Sequence, residues 1–337
     1  MIKGKKMKVV VFDTHNFDRA ALSDANANST HDLTFLEPRL TENTAILASG
    51  FEAVCSFVND SIDANTLAIL KKGGTRLIAL RSAGFNHVDL HAAKSCGIAV
   101  VRVPEYSPFA VAEHTVALIL ALSRKIHRSY SRMKELNFSL DGLVGFDLHG
   151  KTVGILGTGR IGATFAKIMN GFGCHILAYD AYPNYALSKE LNMSYVQLDE
   201  LLSNSHIISL HLPLTPATRH IIDKRAFSLM RPDSLLINTG RGALIETKSL
   251  IDALKRHQIG GAGLDVYEEE EGIFFQDLSE SGLQDDILAR LITFPNVVIT
   301  SHQAFLTKEA LKNWSFPDKV EPFFMRLVPI LSSSQIG

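Results

Sequence analysis

The clearest chemical signal in the sequence is a set of three glycines, Gly157, Gly159 and Gly162, in the stretch KTVGILGTGRIGATFAKIM. They form the pattern GxGxxG directly after a strand-like run and directly before a helix-like run, which is the context that this pattern requires. The first glycine permits a tight turn, the second lets the backbone approach a pyrophosphate, and the third lets helix and strand pack closely. The N–H groups near Arg160 and Ile161 would then face the anion. The stretch therefore predicts a dinucleotide site.

An acidic residue stands where the adenosine ribose of such a dinucleotide would lie. Asp180 follows the next strand-like run, HILAY, and its carboxylate can accept hydrogen bonds from the ribose hydroxyls. The same charge would repel a 2′-phosphate, which favours NAD over NADP. Two other interpretations stay open at this point: a glycine-rich turn without a ligand, and the nucleotide site of a methyltransferase.

Three more polar residues stand at the carboxyl ends of strand-like runs, where ligands bind in doubly wound sheets. Arg241 follows SLLINTG, Asp265 ends GAGLD, and His302 follows NVVITS. Each alone has an ordinary explanation, as a surface arginine, a helix-capping aspartate and a buried histidine. Together, on one edge of one sheet, they indicate a site that can bind an anion and transfer a proton.

The sequence YEEEEGIFFQD places four consecutive glutamates, residues 268–271, between two apolar segments. A run of like charges is usually a solvated loop. Its position between buried segments raises the question of whether one of the carboxylates belongs to the site.

The elements that must position these residues follow from the alternation of apolar runs and helix-like segments such as ANTLAILKK and DLHAAKS. Ten runs read as buried strands: 8–12, 53–58, 76–80, 98–103, 152–156, 175–179, 206–210, 234–238, 261–265 and 296–300. Strands that alternate with helices predict βαβ units and parallel sheets. The last six runs fit a doubly wound dinucleotide-binding sheet better than they fit a methyltransferase.

Residues 107–136 predict one long helix, with Pro108 in its first turn. The middle of this helix is apolar nearly all round. We therefore expect it to be buried on several sides, with another subunit as one of the surfaces that cover it.

Composition describes an ordinary globular protein. The chain has 337 residues, long enough for two domains, with 46% hydrophobic residues, 20% charged residues and a formal net charge of −1. These values give no sign of nucleic-acid or membrane affinity. The three cysteines lie far apart without metal-ligand spacing, so we expect no metal site and reduced thiols in a cytoplasmic protein.

The sequence resembles the D-specific 2-hydroxyacid dehydrogenases and, within that family, the fermentative D-lactate dehydrogenases. The resemblance covers roughly residues 7–313. It rests on seven blocks in the order and spacing of the family: LRSAGFNHVDL, VRVPEYSPFAVAEH, GKTVGILGTGRIG, SLHLPLTPATRHII, INTGRGALIE, GLDVYEEE and SHQAFLT.

The resemblance implies an α/β fold of two Rossmann-like domains, in which a doubly wound NAD domain (106–303) is inserted into a flavodoxin-like substrate domain (1–105 and 304–337). The site is expected in the cleft between them. The implied cofactor contacts are Gly157, Gly159, Arg160, Ile161, Gly162, Asp180, Leu212, Pro213, Thr218, Thr239, Gly240 and Asp265.

The family's catalytic arginine, glutamate and histidine fall on Arg241, Glu270 and His302. Reducing a 2-keto acid requires a hydride at C2, supplied by NADH, and a proton on the carbonyl oxygen. His302 is the expected acid, Glu270 would favour its charged form, and Arg241 would bind the substrate carboxylate and polarise the carbonyl. The family's pattern adds the backbone N–H groups of Ala83 and Gly84 as carboxylate donors.

Three aromatic residues, Phe57, Tyr106 and Phe305, would by resemblance close a tight pocket that suits a methyl side chain. We therefore expect an NAD-dependent D-lactate dehydrogenase that reduces pyruvate in fermentation. Hydroxypyruvate, glyoxylate and branched 2-keto acids stay open as alternative substrates. An NAD-sensing corepressor is a different alternative, which the presence of all three catalytic residues disfavours.

The chain departs from the family after Lys312, where the prolines of NWSFPDKVEPFFMRLVPILSSSQIG exclude one unbroken helix. The role of this tail, 313–337, is left open. The extra MIKGKK at the start is expected to be disordered. In this family the apolar 111–122 segment is a subunit contact, so a homodimer or homotetramer is expected.

Overall fold

A computed structural model describes residues 6–27, 31–103, 107–315 and 328–329. The chain divides into two compact units, one formed by 1–107 and 306–337 and the other by 108–305. The predicted domain boundaries lie within about two residues of these divisions.

The elements alternate between strands and helices along the described chain. The strands are β1 (Lys8–Val11), β2 (Asp32–Phe35), β3 (Ala53–Ser56), β4 (Leu77–Leu80), β5 (Ala99–Arg102), β6 (Thr152–Leu156), β7 (His175–Tyr179), β8 (Ser194–Tyr195), β9 (Ile207–Leu210), β10 (Leu235–Asn238), β11 (Gly261–Leu264), β12 (Val297–Ile299) and β13 (Val328–Pro329). The α-helices are α1 (Asn16–Asn26), α2 (Ala64–Lys72), α3 (Leu90–Cys96), α4 (Pro108–Ser123), α5 (Ile126–Lys134), α6 (Arg160–Gly171), α7 (Tyr185–Leu191), α8 (Leu198–Asn204), α9 (Lys224–Leu229), α10 (Thr247–Lys255), α11 (Asp286–Ile292) and α12 (Lys308–Ser315). Short 3₁₀ helices cover Ala45–Ala48 and Gly242–Leu244.

The first unit is built on a sheet with the order β13-β5-β4-β3-β1-β2. Strands β1 to β5 pair in parallel, with Val9 opposite Ala53 in the register of β1 and β3. Their order is that of flavodoxin-like sheets. Apolar side chains that include Val10, Val54 and Ile78 form the core. The predicted α/β class is thus confirmed in this unit.

The second unit is built on a seven-stranded parallel sheet with the order β12-β11-β10-β9-β6-β7-β8. This is the doubly wound order of dinucleotide-binding sheets, extended by one strand. Helix α4 packs against α6, β10 and β11. Two buried apolar clusters lie in this unit; Leu156, Leu236 and Leu264 belong to one and Val153, Ile155 and Phe165 to the other. The predicted doubly wound sheet is confirmed.

The prediction of one long helix over 107–136 is wrong, because α4 ends at Ser123 and α5 begins at Ile126. Lys125 adopts a left-handed backbone with φ of 52°. The N–H of Phe146 donates to the Ser123 carbonyl at 3.2 Å, so a distant segment takes the acceptor that a continuing helix would use. No described helix has the length and apolar character needed to cross a bilayer.

Helix α4 is buried on several sides, as predicted, with nine of its sixteen residues inside the protein. Its first residue is Pro108, also as predicted. A proline fits this position because its missing N–H would have no partner within the helix.

The strands that the sequence did not predict are β2, β8 and β13, which lie at the edges of their sheets. Edge strands face solvent and lack the continuous apolar runs that mark central strands. In β13, Val328 and Pro329 pair antiparallel with Arg102 and Val101 of β5, a position in which proline is tolerated. The rest of the tail after Ser315, and the first five residues of the extra N-terminal stretch, lie outside the described residues.

Candidate active site

The three glycines of the GxGxxG pattern form a tight turn between β6 and α6. Gly157 has a φ of 94°, and a Cβ placed on it would lie 2.7 Å from the His211 carbonyl oxygen. A Cβ on Gly162 would lie 1.9 Å from the Gly157 carbonyl oxygen, so the helix packs directly on the turn. By contrast, a Cβ on Gly159 would meet no atom within 4 Å. The turn therefore leaves open space at the start of α6, where helix N–H groups favour a pyrophosphate.

Asp180 follows β7 and is held at the same turn. Its Oδ2 accepts hydrogen bonds from the N–H of Thr158 at 2.6 Å and from the Thr158 hydroxyl at 2.9 Å, and its Oδ1 accepts from the N–H of Tyr182 at 2.8 Å. Burial, the largest single effect, raises the pKa of Asp180, but these hydrogen bonds together lower the pKa below its ordinary value. The residue is therefore an anion at neutral pH, as recognition of an adenosine ribose requires.

The other predicted cofactor residues follow the central strands of the same sheet; they are Arg160, Ile161, Leu212, Pro213, Thr218, Thr239 and Gly240. The Thr218 hydroxyl donates to the Pro213 carbonyl at 2.6 Å and so braces the loop after β9. The Thr239 hydroxyl lies 2.9 Å from the hydroxyl of Thr115 on α4. Because β6, β9 and β10 are parallel neighbours, these residues share one edge of the sheet with the glycine turn. Their arrangement fits a bound NAD.

His302 and Glu270 form a close pair. The Nδ1 of His302 lies 2.7 Å from Oε1 of Glu270, and both side chains are mostly buried, with exposed fractions of 14% and 18%. The other carboxylate oxygen of Glu270 accepts from the N–H of Tyr267 at 3.1 Å. The Phe275 ring lies 6.0 Å from the imidazole, centroid to centroid. The carboxylate thus fixes the ring orientation, and Nε2 is the nitrogen that can exchange a proton with a ligand.

Asp265 binds the loop after β12 that carries His302, called the histidine loop below. Its side chain is fully buried, and its Oδ1 accepts from the Thr300 hydroxyl at 2.5 Å and from the N–H of Gln303 at 2.9 Å. Its Oδ2 accepts from the N–H of Ala304 at 2.9 Å, and its backbone carbonyl accepts from the N–H of His302 at 2.7 Å. The contacts observed for this side chain are with the loop that carries His302 and with His114 on α4, 3.4 Å away, whereas the contact predicted with the cofactor stays a prediction.

The charge of Asp265 is stabilised by the same network. Burial, the largest single effect, raises its pKa, but hydrogen bonds from His114 and Thr300 and from the N–H of Ala304 together lower the pKa below its ordinary value. The Nε2 of His114 lies 3.0 Å from the Thr300 hydroxyl, which joins α4 to the network. Sequence patterns identified Asp265 but assigned no role to Thr300 or His114, because their contacts with Asp265 join parts of the chain that are far apart in sequence.

Arg241 stands in the turn after β10, and Asn238 shapes that turn. The Asn238 amide donates to the Arg241 carbonyl at 2.8 Å, and its oxygen accepts from the N–H of Gly240 at 3.0 Å. The Nη1 of Arg241 donates to the Gly240 carbonyl at 2.7 Å. The guanidinium is half-buried and has further donors that can bind a carboxylate.

Of the predicted substrate contacts, Phe57, Ala83 and Gly84 belong to the first unit. Phe57 is buried, with the Arg81 guanidinium 4.8 Å from the centre of its ring. The Ser82 hydroxyl donates to the Gly84 carbonyl at 2.7 Å, which shapes the turn after β4. Their role toward a substrate stays a prediction.

Phe305 is the last residue of the second unit and is buried. Tyr106, the remaining predicted substrate contact, lies outside the described residues.

The four glutamates differ in their surroundings. Glu269 and Glu271 are exposed, whereas the side chains of Glu268 and Glu270 are mostly buried. Glu270 pairs with His302, and Glu268, whose role the sequence left open, is bound by Thr247 and His220. The run therefore contains two solvated charges and two that take part in the structure of the site.

Comparison with known proteins identifies the family. Residues 116–304 match the model for the NAD binding domain of D-isomer specific 2-hydroxyacid dehydrogenases. The chain is 50% identical to a 2-hydroxyacid dehydrogenase homolog of Haemophilus influenzae, covering 91% of this chain and 92% of the relative. It is 49% identical to the D-lactate dehydrogenase of Escherichia coli, covering 92% and 94%. A solved structure of the pyruvate reductase of Chlamydomonas reinhardtii matches with a TM-score of 0.87 at 44% identity, covering 93% and 94%.

Proposed function

The chain belongs to the D-isomer specific 2-hydroxyacid dehydrogenases and is an NAD-dependent oxidoreductase, and we propose that it reduces pyruvate to D-lactate. The observation that carries the chemistry is the pair formed by His302 and Glu270, with Nδ1 and Oε1 2.7 Å apart. Pyruvate is favoured because similar proteins bear the names D-lactate dehydrogenase and pyruvate reductase.

In the proposed mechanism the chain positions the 2-keto acid and protonates it. NADH, when bound at the glycine turn, supplies the hydride for C2. The Nε2 of His302 donates the proton to the carbonyl oxygen, because Nδ1 is held by Glu270. The Glu270 carboxylate stabilises the imidazolium before the transfer. In the reverse direction the neutral imidazole accepts the proton from the 2-hydroxyl group.

Arg241 is proposed to bind the substrate carboxylate and to polarise the carbonyl. Its turn is fixed by Asn238, and one of its five N–H donors is used by the Gly240 carbonyl. A planar guanidinium suits a carboxylate because two parallel N–H bonds can form. The N–H groups of Ala83 and Gly84 are proposed as further carboxylate donors, and Phe57, Tyr106 and Phe305 as the residues that limit the size of the 2-substituent.

A second candidate is the same reaction on another 2-keto acid, such as hydroxypyruvate, glyoxylate or a branched acid. The generic name of the similar Haemophilus influenzae protein, a 2-hydroxyacid dehydrogenase homolog, supports keeping it. The decisive experiment is a panel of 2-keto acids with NADH, together with both enantiomers of lactate and NAD⁺ in the reverse direction. We expect pyruvate to give the highest kcat/KM and D-lactate alone to be oxidised. A higher kcat/KM with another acid, or oxidation of L-lactate, would overturn the lactate assignment.

We also propose that the protein is a homo-oligomer, a dimer or a tetramer. Large apolar side chains are exposed on α5 and the segment after it, where Ile126 is 54% exposed, Tyr130 62%, Leu136 76%, Leu140 80% and Val144 82%. A patch of this kind usually marks a protein–protein contact. Sedimentation velocity should show a species larger than the 37.0 kDa chain. A monomer across the micromolar range would contradict the proposal.

The cytoplasmic location stays a prediction. It rests on the scattered, free cysteines, Cys55, Cys96 and Cys174, which are typical of a reducing compartment.

A further inference from the structure

Glu268 lies where three loops of the second unit meet. Its Oε1 is 2.5 Å from Nε2 of His220, in the loop after β9. Its Oε2 accepts from the Thr247 hydroxyl at 2.9 Å and from the N–H of Thr247 at 3.2 Å, at the start of α10. Arg219 adds a longer contact at 3.5 Å. One carboxylate, in the loop after β11, thus binds both of the other loops.

The same loops also touch through their backbones. The N–H of His220 donates to the Ala243 carbonyl at 2.8 Å. A Cβ on Gly242 would lie 2.1 Å from the carbonyl carbon and oxygen of Tyr267 and 2.4 Å from the nitrogen of Glu268. The turn that carries the arginine is therefore packed directly on the backbone of the acidic loop.

Two residues of the proposed mechanism, Arg241 and Glu270, lie beside this contact between the arginine turn and the acidic loop. Arg241 immediately precedes Gly242, and Glu270 is two residues beyond Glu268. Glu270 is bound by the N–H of Tyr267 at 3.1 Å and holds His302 at 2.7 Å. A movement of the acidic loop relative to the arginine turn would consequently change the spacing of the groups that bind and protonate the substrate.

We propose that Glu268 is a positioning residue that holds the turn of Arg241 at a fixed distance from the pair of Glu270 and His302. This inference rests on the proposed reduction of a 2-keto acid, since it concerns the spacing of the groups that perform it. Glu268 itself touches neither the substrate nor the cofactor in this proposal.

The charge of Glu268 agrees with this role. Burial, the largest single effect, raises its pKa, but the hydrogen bonds from His220 and Thr247 together lower the pKa below its ordinary value. The carboxylate is therefore ionised at neutral pH. It also lies at the N-terminus of α10, where the helix dipole favours a negative charge.

The experiment compares Glu268→Ala and Glu268→Asp with Glu269→Ala, a matched control that removes an exposed charge from the same acidic run. Alanine removes the carboxylate, and aspartate keeps the charge but is too short to reach both partners. We expect both Glu268 variants to lose about 10- to 100-fold in kcat/KM for pyruvate, as small misplacements of catalytic groups do. NADH affinity, measured in parallel, should fall less than kcat/KM, because the glycine turn that receives the pyrophosphate is not among these three loops. Glu269→Ala should behave as wild type.

A double-mutant cycle with Arg241→Lys separates positioning from a general loss of structure. If Glu268 acts through Arg241, the double variant loses less than the product of the two single losses. Multiplicative losses, or a wild-type kcat/KM in Glu268→Ala, would overturn the positioning role. The Asp variant serves in the cycle if the thermal transition shows that Glu268→Ala is unfolded. Absence of turnover with every 2-keto acid in wild type and Glu269→Ala would instead refute the proposed function, and this inference with it.

Discussion

Replacing Asp265 with asparagine tests whether the buried carboxylate holds the histidine loop. The wild-type side chain accepts from the N–H of Gln303 and the Thr300 hydroxyl on one oxygen and from the N–H of Ala304 on the other. Asparagine has one oxygen, so its NH₂ group must face an N–H donor. A lost hydrogen bond to a charged group costs about 1.5–3 kcal/mol and a buried unpaired donor about 1–3 kcal/mol more. We therefore expect the free energy of unfolding to fall by roughly 2.5–6 kcal/mol.

The assay is urea unfolding at several pH values, combined with kcat for pyruvate. Asp265 has a folded-state pKa below its ordinary value, so its contribution to stability is present above the unfolded-state pKa of about 3.9 and is lost as the pH falls through the folded-state value. The difference between wild type and Asp265→Asn should consequently shrink below about pH 4.

The matched control for this prediction is Asp223→Asn. Asp223 caps α9 by accepting from the N–H of Ala226 at 2.8 Å, and asparagine caps a helix about as well as aspartate. This variant should unfold like wild type. We expect kcat to fall in Asp265→Asn and not in Asp223→Asn, because Asp265 binds the loop that carries His302. Equal stability and equal kcat for wild type and Asp265→Asn would refute this account of the loop.

Three further predictions concern the proton donor and the cofactor site. Glu270→Gln removes the negative charge beside His302, and the pH–rate profile of pyruvate reduction should move to lower pH; an unchanged profile would refute the role of Glu270. Asp180→Asn removes the charge that would repel a 2′-phosphate. The ratio of kcat/KM for NADPH to kcat/KM for NADH should therefore rise roughly tenfold, the equivalent of about 1.4 kcal/mol. A constant ratio would contradict the contact between Asp180 and the ribose. Gly159→Ala places a methyl group in the open space at the start of α6 and should weaken NADH binding, measured by fluorescence titration, without lowering the thermal midpoint, whereas Gly171→Ala in the same helix should change neither.

The sequence predicted the central strands well, because they are buried on both faces and consist of continuous apolar runs. Strand β6 was predicted over 152–156, and it occupies Thr152–Leu156. The edge strands β2 and β8 carry no such signal. The break after α4 was missed because the residue that takes the Ser123 carbonyl, Phe146, lies outside the 107–136 segment whose periodicity predicted the helix.

The residues of the site were predicted unequally for a similar reason. Arg241, Glu270 and His302 occur in blocks whose order resembles a known family, and the structure brings Glu270 and His302 together. Asp265 and Glu268, in contrast, form hydrogen bonds with residues far away in the sequence, such as Thr300 for Asp265 and His220 for Glu268. Such bonds depend on the folded backbone, and no spacing along the sequence indicates them.

The central claim, that His302 donates the proton in a reduction driven by NADH, is tested most directly by His302→Gln. The measurement pairs kcat for pyruvate with the dissociation constant of NADH in the same preparation. We predict that kcat falls by about 10²- to 10⁴-fold, the usual contribution of a general acid, while NADH binds as in wild type. A kcat equal to that of wild type would contradict the claim.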